Sequence, residues 1–223
     1  MTTRDETFGI GIGELFRAGV AGVRARPLAL AVSAAATLGT YLAFRLPAQA
    51  ASVRGEAMRS LVLDLTGLLL AGMVALPWYS ISLAVARGEE IDLTRVLTLP
   101  RLAAQAVASF WFWAGALLGL RYLYGIPALV VLVLYAFHGF AVADGAPSGL
   151  RALGTSVRLG EGRRVGIFAI ACLFLLLNLV GAIALGTGVD ALSVAVTAVA
   201  LLVTTNVTMV AGARLYLALE RDP

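Results

Sequence analysis

Charge is scarce in this chain of 223 residues, at 13%, and six long stretches almost lack it. They are Pro27–Leu46, Leu61–Ala86, Leu102–Leu120, Ile126–Ala143, Val165–Leu185 and Ala191–Gly212. Within them the only acidic, basic or imidazole side chains are Arg45, Asp64 and His138. Lysine is absent altogether, and all 17 basic residues are arginine. One cysteine, Cys172, excludes an internal disulfide. One thiol and one histidine also fall short of a zinc site with four protein ligands.

What is present is apolar residue, 60% of the chain, with a mean hydropathy of +0.92. Soluble domains carry about 25% charged and 45–50% apolar residues, so a chain this greasy could not cover its surface in water. A bilayer core needs about 20 apolar residues per helical span, and each stretch meets or nearly meets that length. The expected fold is therefore all-α: a polytopic bundle of six transmembrane helices within one integral membrane domain, residues 1–223. Short loops leave no room for a second, soluble domain.

The arginines set the orientation. With the N-terminus in the cytoplasm, only Arg45, Arg54, Arg59 and Arg121 fall on the outer side, leaving thirteen of the 17 inside. That asymmetry has the direction of the positive-inside rule. It predicts a multi-pass protein of the cell (inner) membrane with both termini cytoplasmic. The pI of 9.7 then reads as topology and contact with anionic headgroups, not as a nucleic-acid surface. The first span ends near Ala48-Gln49-Ala50, a pattern like a signal-peptidase site. Its apolar run exceeds the about 7–15 residues of a signal-peptide core, so it is read as a retained span.

Between the spans, two cytoplasmic segments read as amphipathic interfacial helices. In the first, Phe8–Arg26, the residues Ile12, Leu15, Phe16, Gly19, Val20 and Val23 recur at helical spacing, with Glu14, Arg17 and Arg24 between them. Its Gly9-x-Gly11-x-Gly13 string lacks the strand a dinucleotide fingerprint needs. The second lies in Asp144–Arg164, where Leu150, Leu153, Val157 and Leu159 alternate with Arg151 and Arg158, before Arg163 and Arg164. These six arginines (17, 24, 151, 158, 163 and 164) form a candidate cytoplasmic interaction face. A third surface helix is expected in Arg87–Pro100, ended by Pro100.

Inside the spans, Pro77 predicts a kink, with Ser80 and Ser82 placed to satisfy freed carbonyls. Gly125 and Pro127 open the fourth span, and Tyr122 and Tyr124 suit an aromatic belt. Gly115 and Gly119 form a small-x-x-x-small pair, read as intramolecular packing. Trp111, Phe112 and Trp113 lie mid-span, as packing or as an aromatic patch for lipid or ligand.

Ionisable or amide groups in lipid are costly and so are the default candidates. Reflecting the first hairpin about residue 54 places Arg45 and Asp64 at one depth and predicts an ion pair, with Arg121 at the same level. Asn178 and Asn206 differ in depth by roughly 13 Å on a count from the outer turn, at about 1.5 Å per residue, so the count pairs Asn178 with Thr197 instead. His138 lies in the inner half of its span with no carboxylate level with it. No nucleophile–base pair, metal-ligand set or cofactor motif stands out, and no catalysis is predicted.

The order of motifs in the second half carries a resemblance. Gly125-Ile126-Pro127 opens a long apolar helix. Ala152-Leu153, Ser156-Val157-Arg158-Leu159 and Gly162-Arg163-Arg164 then lead into a new span, and the last helix runs into Arg214-Leu215-Tyr216. This resembles six-span bacterial and archaeal proteins related to the membrane domain of glycerophosphodiester phosphodiesterases, with Val157 where that pattern usually has tryptophan. The resemblance implies the fold; no phosphodiesterase barrel is attached, so it does not imply that activity. The expected function is an accessory or interaction component that binds lipid, a partner membrane protein or a second copy. The alternative is a small transporter with a polar midplane site around the Pro77 kink, Asn178 and Thr197.

Overall fold

A computed structural model describes residues 10–122, 125–182 and 191–221. Every regular element among the described residues is an α-helix. In order these are α1 (Ile12–Ala25), α2 (Pro27–Val53), α3 (Ala57–Val74), α4 (Leu76–Arg87), α5 (Leu99–Tyr122), α6 (Ile126–Leu134), α7 (His138–Ala143), α8 (Gly149–Leu159), α9 (Arg164–Gly181) and α10 (Ala191–Arg221). Six helical stretches are long and apolar enough to cross a membrane: α2, α3 with α4, α5, α6 with α7, α9 and α10. The chain is an all-α, multi-pass membrane protein. Gly186–Asp190, Tyr124 and Gly9 lie outside the described residues.

Several boundaries differ from the sequence reading, and the first span, expected to end at Leu46, runs on through Pro47 to Val53. Residues 88–98 form no helix, and Pro100 is the second residue of α5 instead of the end of a surface helix. Proline suits a first helical turn, where its missing N–H has no intrahelical partner to lose. Gly88, at φ +77°, closes α4 in the left-handed region open to glycine. The fourth span is not one rod; it breaks between Leu134 and His138. The last helix runs on to Arg221, well past Gly212.

The chain forms two compact units. The first comprises Met1–Ala34, Ile81–Ile91 and Leu159–Pro223. Here α1 packs on α10 through its small residues. A Cβ on Gly19 would lie 2.5 Å from the Val207 carbonyl oxygen, and one on Gly22 would lie 2.7 Å from a Val210 methyl and 2.8 Å from one of Val85. Leu15, Gly19 and Gly22 form the buried stripe of α1, while Glu14, Arg17 and Arg24 stay exposed. Part of the amphipathic stripe of α1 is thus met by protein, while Ile12 and Val20 stay exposed. Phe16 sets its ring edge-on to Phe174 of α9, with centroids 5.7 Å apart. Arg87 reaches Glu220 of α10 at 4.0 Å.

The second unit comprises Ala35–Ser80 and Asp92–Arg158. Gly72 of α3 meets the Ser109 side chain of α5 so closely that a Cβ there would overlap it. On α5, Gly115 faces Val131 and Gly119 faces the Ala128 amide of α6. The small-x-x-x-small pair is therefore used within the chain. α8 buries Ala152, Leu153 and Ser156 and leaves Arg151 and Arg158 exposed. Ser148 starts it, its Oγ accepting the Arg151 N–H at 3.3 Å.

Candidate functional site

Two broken helices shape the second unit. At the first break, Pro77 has no N–H to donate, and the helix passes from α3 to α4 through Ala75. Ser80 Oγ donates to the Leu76 carbonyl at 2.9 Å. The second break, at Tyr135–Phe137, contains neither proline nor glycine. A serine from α8 holds it open. Ser156 Oγ donates to the Leu134 carbonyl at 2.9 Å and accepts the Phe137 N–H at 3.0 Å. One side chain thereby satisfies two backbone groups that an unbroken helix would pair within itself.

Beside these breaks lies a cavity of about 370 Å³. Helical periodicity supplies its walls: Thr37, Leu38 and Tyr41 from one face of α2, and Leu68, Ala71, Gly72 and Ala75 from a stripe of α3. Trp78 and Tyr79 come from the kink, Ser109 and Trp113 from α5, and His138 from α7. All fall within the candidate spans, with Trp78, Tyr79 and His138 towards the second ends of theirs. None of the lining residues is acidic, lysine or arginine.

His138 is 3% exposed. Its ring stacks on Phe112 at 4.6 Å and meets the Tyr79 ring at 6.0 Å, edge-on. Nδ1 lies 2.7 Å from the Tyr135 carbonyl oxygen. A carbonyl only accepts, so Nδ1 carries the hydrogen; in the neutral ring that tautomer leaves Nε2 as an acceptor. Gly139 follows because the Tyr79 ring occupies the space a Cβ would need. Behind the wall residues Gly72 and Ser109, Gln105 Nε2 donates to the Gly72 carbonyl at 3.1 Å and to Ser109 Oγ at 3.0 Å. Gln105 Oε1 is buried without a hydrogen-bond partner among the described residues.

The other candidates divide between the two units. Arg45 and Asp64 meet in the second, one guanidinium nitrogen lying 3.1 Å from each carboxylate oxygen. They are not among the cavity-lining residues. Arg121 falls in α5, but its side chain is outside what the structure describes. Asn178, Thr197 and Asn206 belong to the first unit. Asn178 Nδ2 donates to the Phe174 carbonyl at 2.9 Å and to Thr208 Oγ1 at 3.4 Å. The expected match with Thr197 does not form. The depth count measured both helices from the turn, whereas Gly181 seats on Ala200 and Thr204 and fixes another register. Thr197 Oγ1 is buried with no partner among the described residues, and Asn206 Nδ2 donates back to the Leu202 carbonyl at 2.7 Å.

Of the six candidate surface arginines, Arg17 and Arg24 are exposed on α1, Arg151 and Arg158 on α8, and Arg164 at the start of α9. Arg163 is half-buried, and Arg17 Nε donates to the Gly13 carbonyl at 3.2 Å.

Sequence reasoning missed Thr37, Tyr41, Leu68 and Ser109 as wall residues, since each is ordinary in an apolar helix. The usable signals were Pro77 and the mid-span aromatics: Trp113 lines the cavity and Phe112 backs His138. Comparison with models of known families, with curated proteins and with solved structures returned no match.

Proposed function

We propose that this chain is a non-catalytic protein of the cell (inner) membrane, with both termini cytoplasmic, that binds a membrane-dissolved apolar molecule in the cavity of its second unit. One observation carries this reading: a cavity of about 370 Å³, with mostly apolar walls, set within the spans against two helix breaks. Ligand pockets typically run from about 300 to 1,000 Å³, apolar with a few placed polar groups. The excess of arginine on one side of the spans supports the orientation. Exposed Arg17, Arg24, Arg151 and Arg158 supply contacts for anionic headgroups.

A relationship to the membrane domain of glycerophosphodiester phosphodiesterases belongs to the same reading. Ala152, Leu153 and Ser156, from the shared pattern, are the residues by which α8 packs down and braces the second break. Transport is the weaker alternative, because Asn178, Asn206 and Ser82 are not among the residues lining the cavity.

Photo-crosslinking tests the reading. In liposomes holding a lipid with a photoreactive acyl chain, cross-links should map to Thr37, Leu68 and Trp113, and Ala71→Leu should remove them. Cross-links confined to outward residues such as Leu28, Val32 and Leu118, which are 79%, 66% and 45% exposed, would contradict it.

A further inference from the structure

The chemistry of the cavity wall narrows the class of molecule it takes, an inference that rests on the binding reading above. Three observations bear on it. First, no acidic side chain, lysine or arginine lines the cavity, so a phosphate or ammonium headgroup placed there would have no counter-charge, at a heavy desolvation cost. Second, His138 is held by its Nδ1–H on the Tyr135 carbonyl, and its ring is clamped by Phe112 and Tyr79. It cannot turn Nδ1 towards the cavity without giving up that bond. Nε2 makes no hydrogen bond within the described residues, and no carboxylate lines the cavity to pair with an imidazolium. Third, the remaining walls are mostly aromatic and aliphatic, with Tyr41, Trp78, Tyr79, Trp113, Leu38 and Leu68 among them, and the small hydroxyls of Thr37 and Ser109 complete them.

An acceptor nitrogen fixed in an uncharged, mostly apolar wall selects for a donor. Esters, ketones and ethers offer only acceptors and would leave Nε2 buried and unpaired, which is costlier than never placing it there. A hydroxyl supplies the missing hydrogen. We propose that the cavity binds a neutral apolar molecule carrying a free hydroxyl, and that His138 Nε2 accepts that hydroxyl's hydrogen bond. Two sources share this chemistry: a lipid alcohol of the diglyceride kind, and a phenolic reduced quinone. The flat aromatic walls suit the ring of the second and the body of the first alike.

The test sets matched probes against purified full-length protein in detergent, followed by the fluorescence of Trp78 and Trp113. One arm compares dioctanoylglycerol with its methyl ether. The other compares decylubiquinol with its dimethyl ether. Each ether replaces a donor hydrogen with a methyl group, and the deoxy analogue of each probe, which removes the donor without adding bulk, controls for the methyl's size. A hydroxylic probe should bind wild-type protein roughly three- to tenfold more tightly than its ether, the span of one neutral hydrogen bond. The arm showing the preference identifies the source. His138→Phe keeps a ring against Phe112 and should bind both members of that pair alike.

The wild-type comparison alone decides the question should His138→Phe fail to fold. Equal binding of ether and hydroxylic probes by wild-type protein would overturn the proposal, as would a preference that survives in His138→Phe. Binding of neither pair, with lipid cross-links still mapping to Leu68 and Trp113, would overturn it while sparing the broader reading. Absence of both binding and cross-links would remove the two together.

Discussion

The two units use polar residues in opposite ways. In the first, the amides and hydroxyls within the spans mostly turn back onto their own helices, Asn178 to Phe174, Asn206 to Leu202 and Thr205 to Leu201, and Asn178 adds a long bond across to Thr208. Glycine lets α1 approach α10 closely, and rarity of residue type signals packing. In the second unit a serine crosses to another helix to hold a break, and a histidine is fixed with one nitrogen left over. There the polar groups keep helices apart from their own regular geometry, and a cavity results. An uncommon residue in a span is thus a weak pointer to a site. A side chain that replaces a backbone hydrogen bond is a stronger one.

The contrast can be broken from either end. The largest effect should come from Gly19→Leu in the first unit, because the obstacle is the Val207 carbonyl oxygen of a helical backbone, which cannot rotate aside. Overpacking of this kind costs about 1–3 kcal/mol or more, read as a lower detergent-denaturation midpoint, and ligand binding by the folded fraction should be unchanged. Ser156→Ala comes next. It removes the two bonds that Ser156 makes to the Phe137 N–H and the Leu134 carbonyl at the second break, at about 1–3 kcal/mol. Unlike Gly19→Leu, it should also weaken probe binding, because the break positions His138. Equal binding in Ser156→Ala and wild type would separate the break from the cavity.

Asn178→Ala should cost less, about 0.6–2 kcal/mol for a bond between helices in lipid, and should leave binding untouched. Loss of binding in that variant would return the transport reading. The smallest effect lies at the loop between α2 and α3. Hydrogen bonds from Arg54 and Arg59 hold the Glu56 carboxyl below the usual carboxylate range. A carboxylate held down in the folded state stabilises it above the unfolded midpoint, and that contribution fades as pH falls through the folded midpoint. Titration of Glu56 by NMR should show an upward move in Arg54→Gln; no move would remove the assigned cause.

The spans were legible because lipid imposes one rule on every helix that crosses it, an apolar run of about 20 residues. The Arg45–Asp64 pair was legible because a short hairpin makes depth a matter of counting. The same counting failed for Asn178, where Gly181 seated on Ala200 and Thr204 shifts the register of α9 on α10. Pro100 was misread because proline marks the start of a helix as well as the region beyond its end. The break before His138 left no local mark: its cause, Ser156, lies in another helix, and only the fold brings the two together. Most wall residues of the cavity likewise carry no signature, since their shared role is to leave space.

The most direct measurement is native mass spectrometry of the protein released from its own membrane in mild detergent, wild type beside Ala71→Leu. Wild-type protein should retain a neutral, hydroxyl-bearing molecule at one copy per chain, and the filled-cavity variant should carry none. An empty wild-type protein, or the same adduct on both proteins, would contradict a ligand held between the two helix breaks.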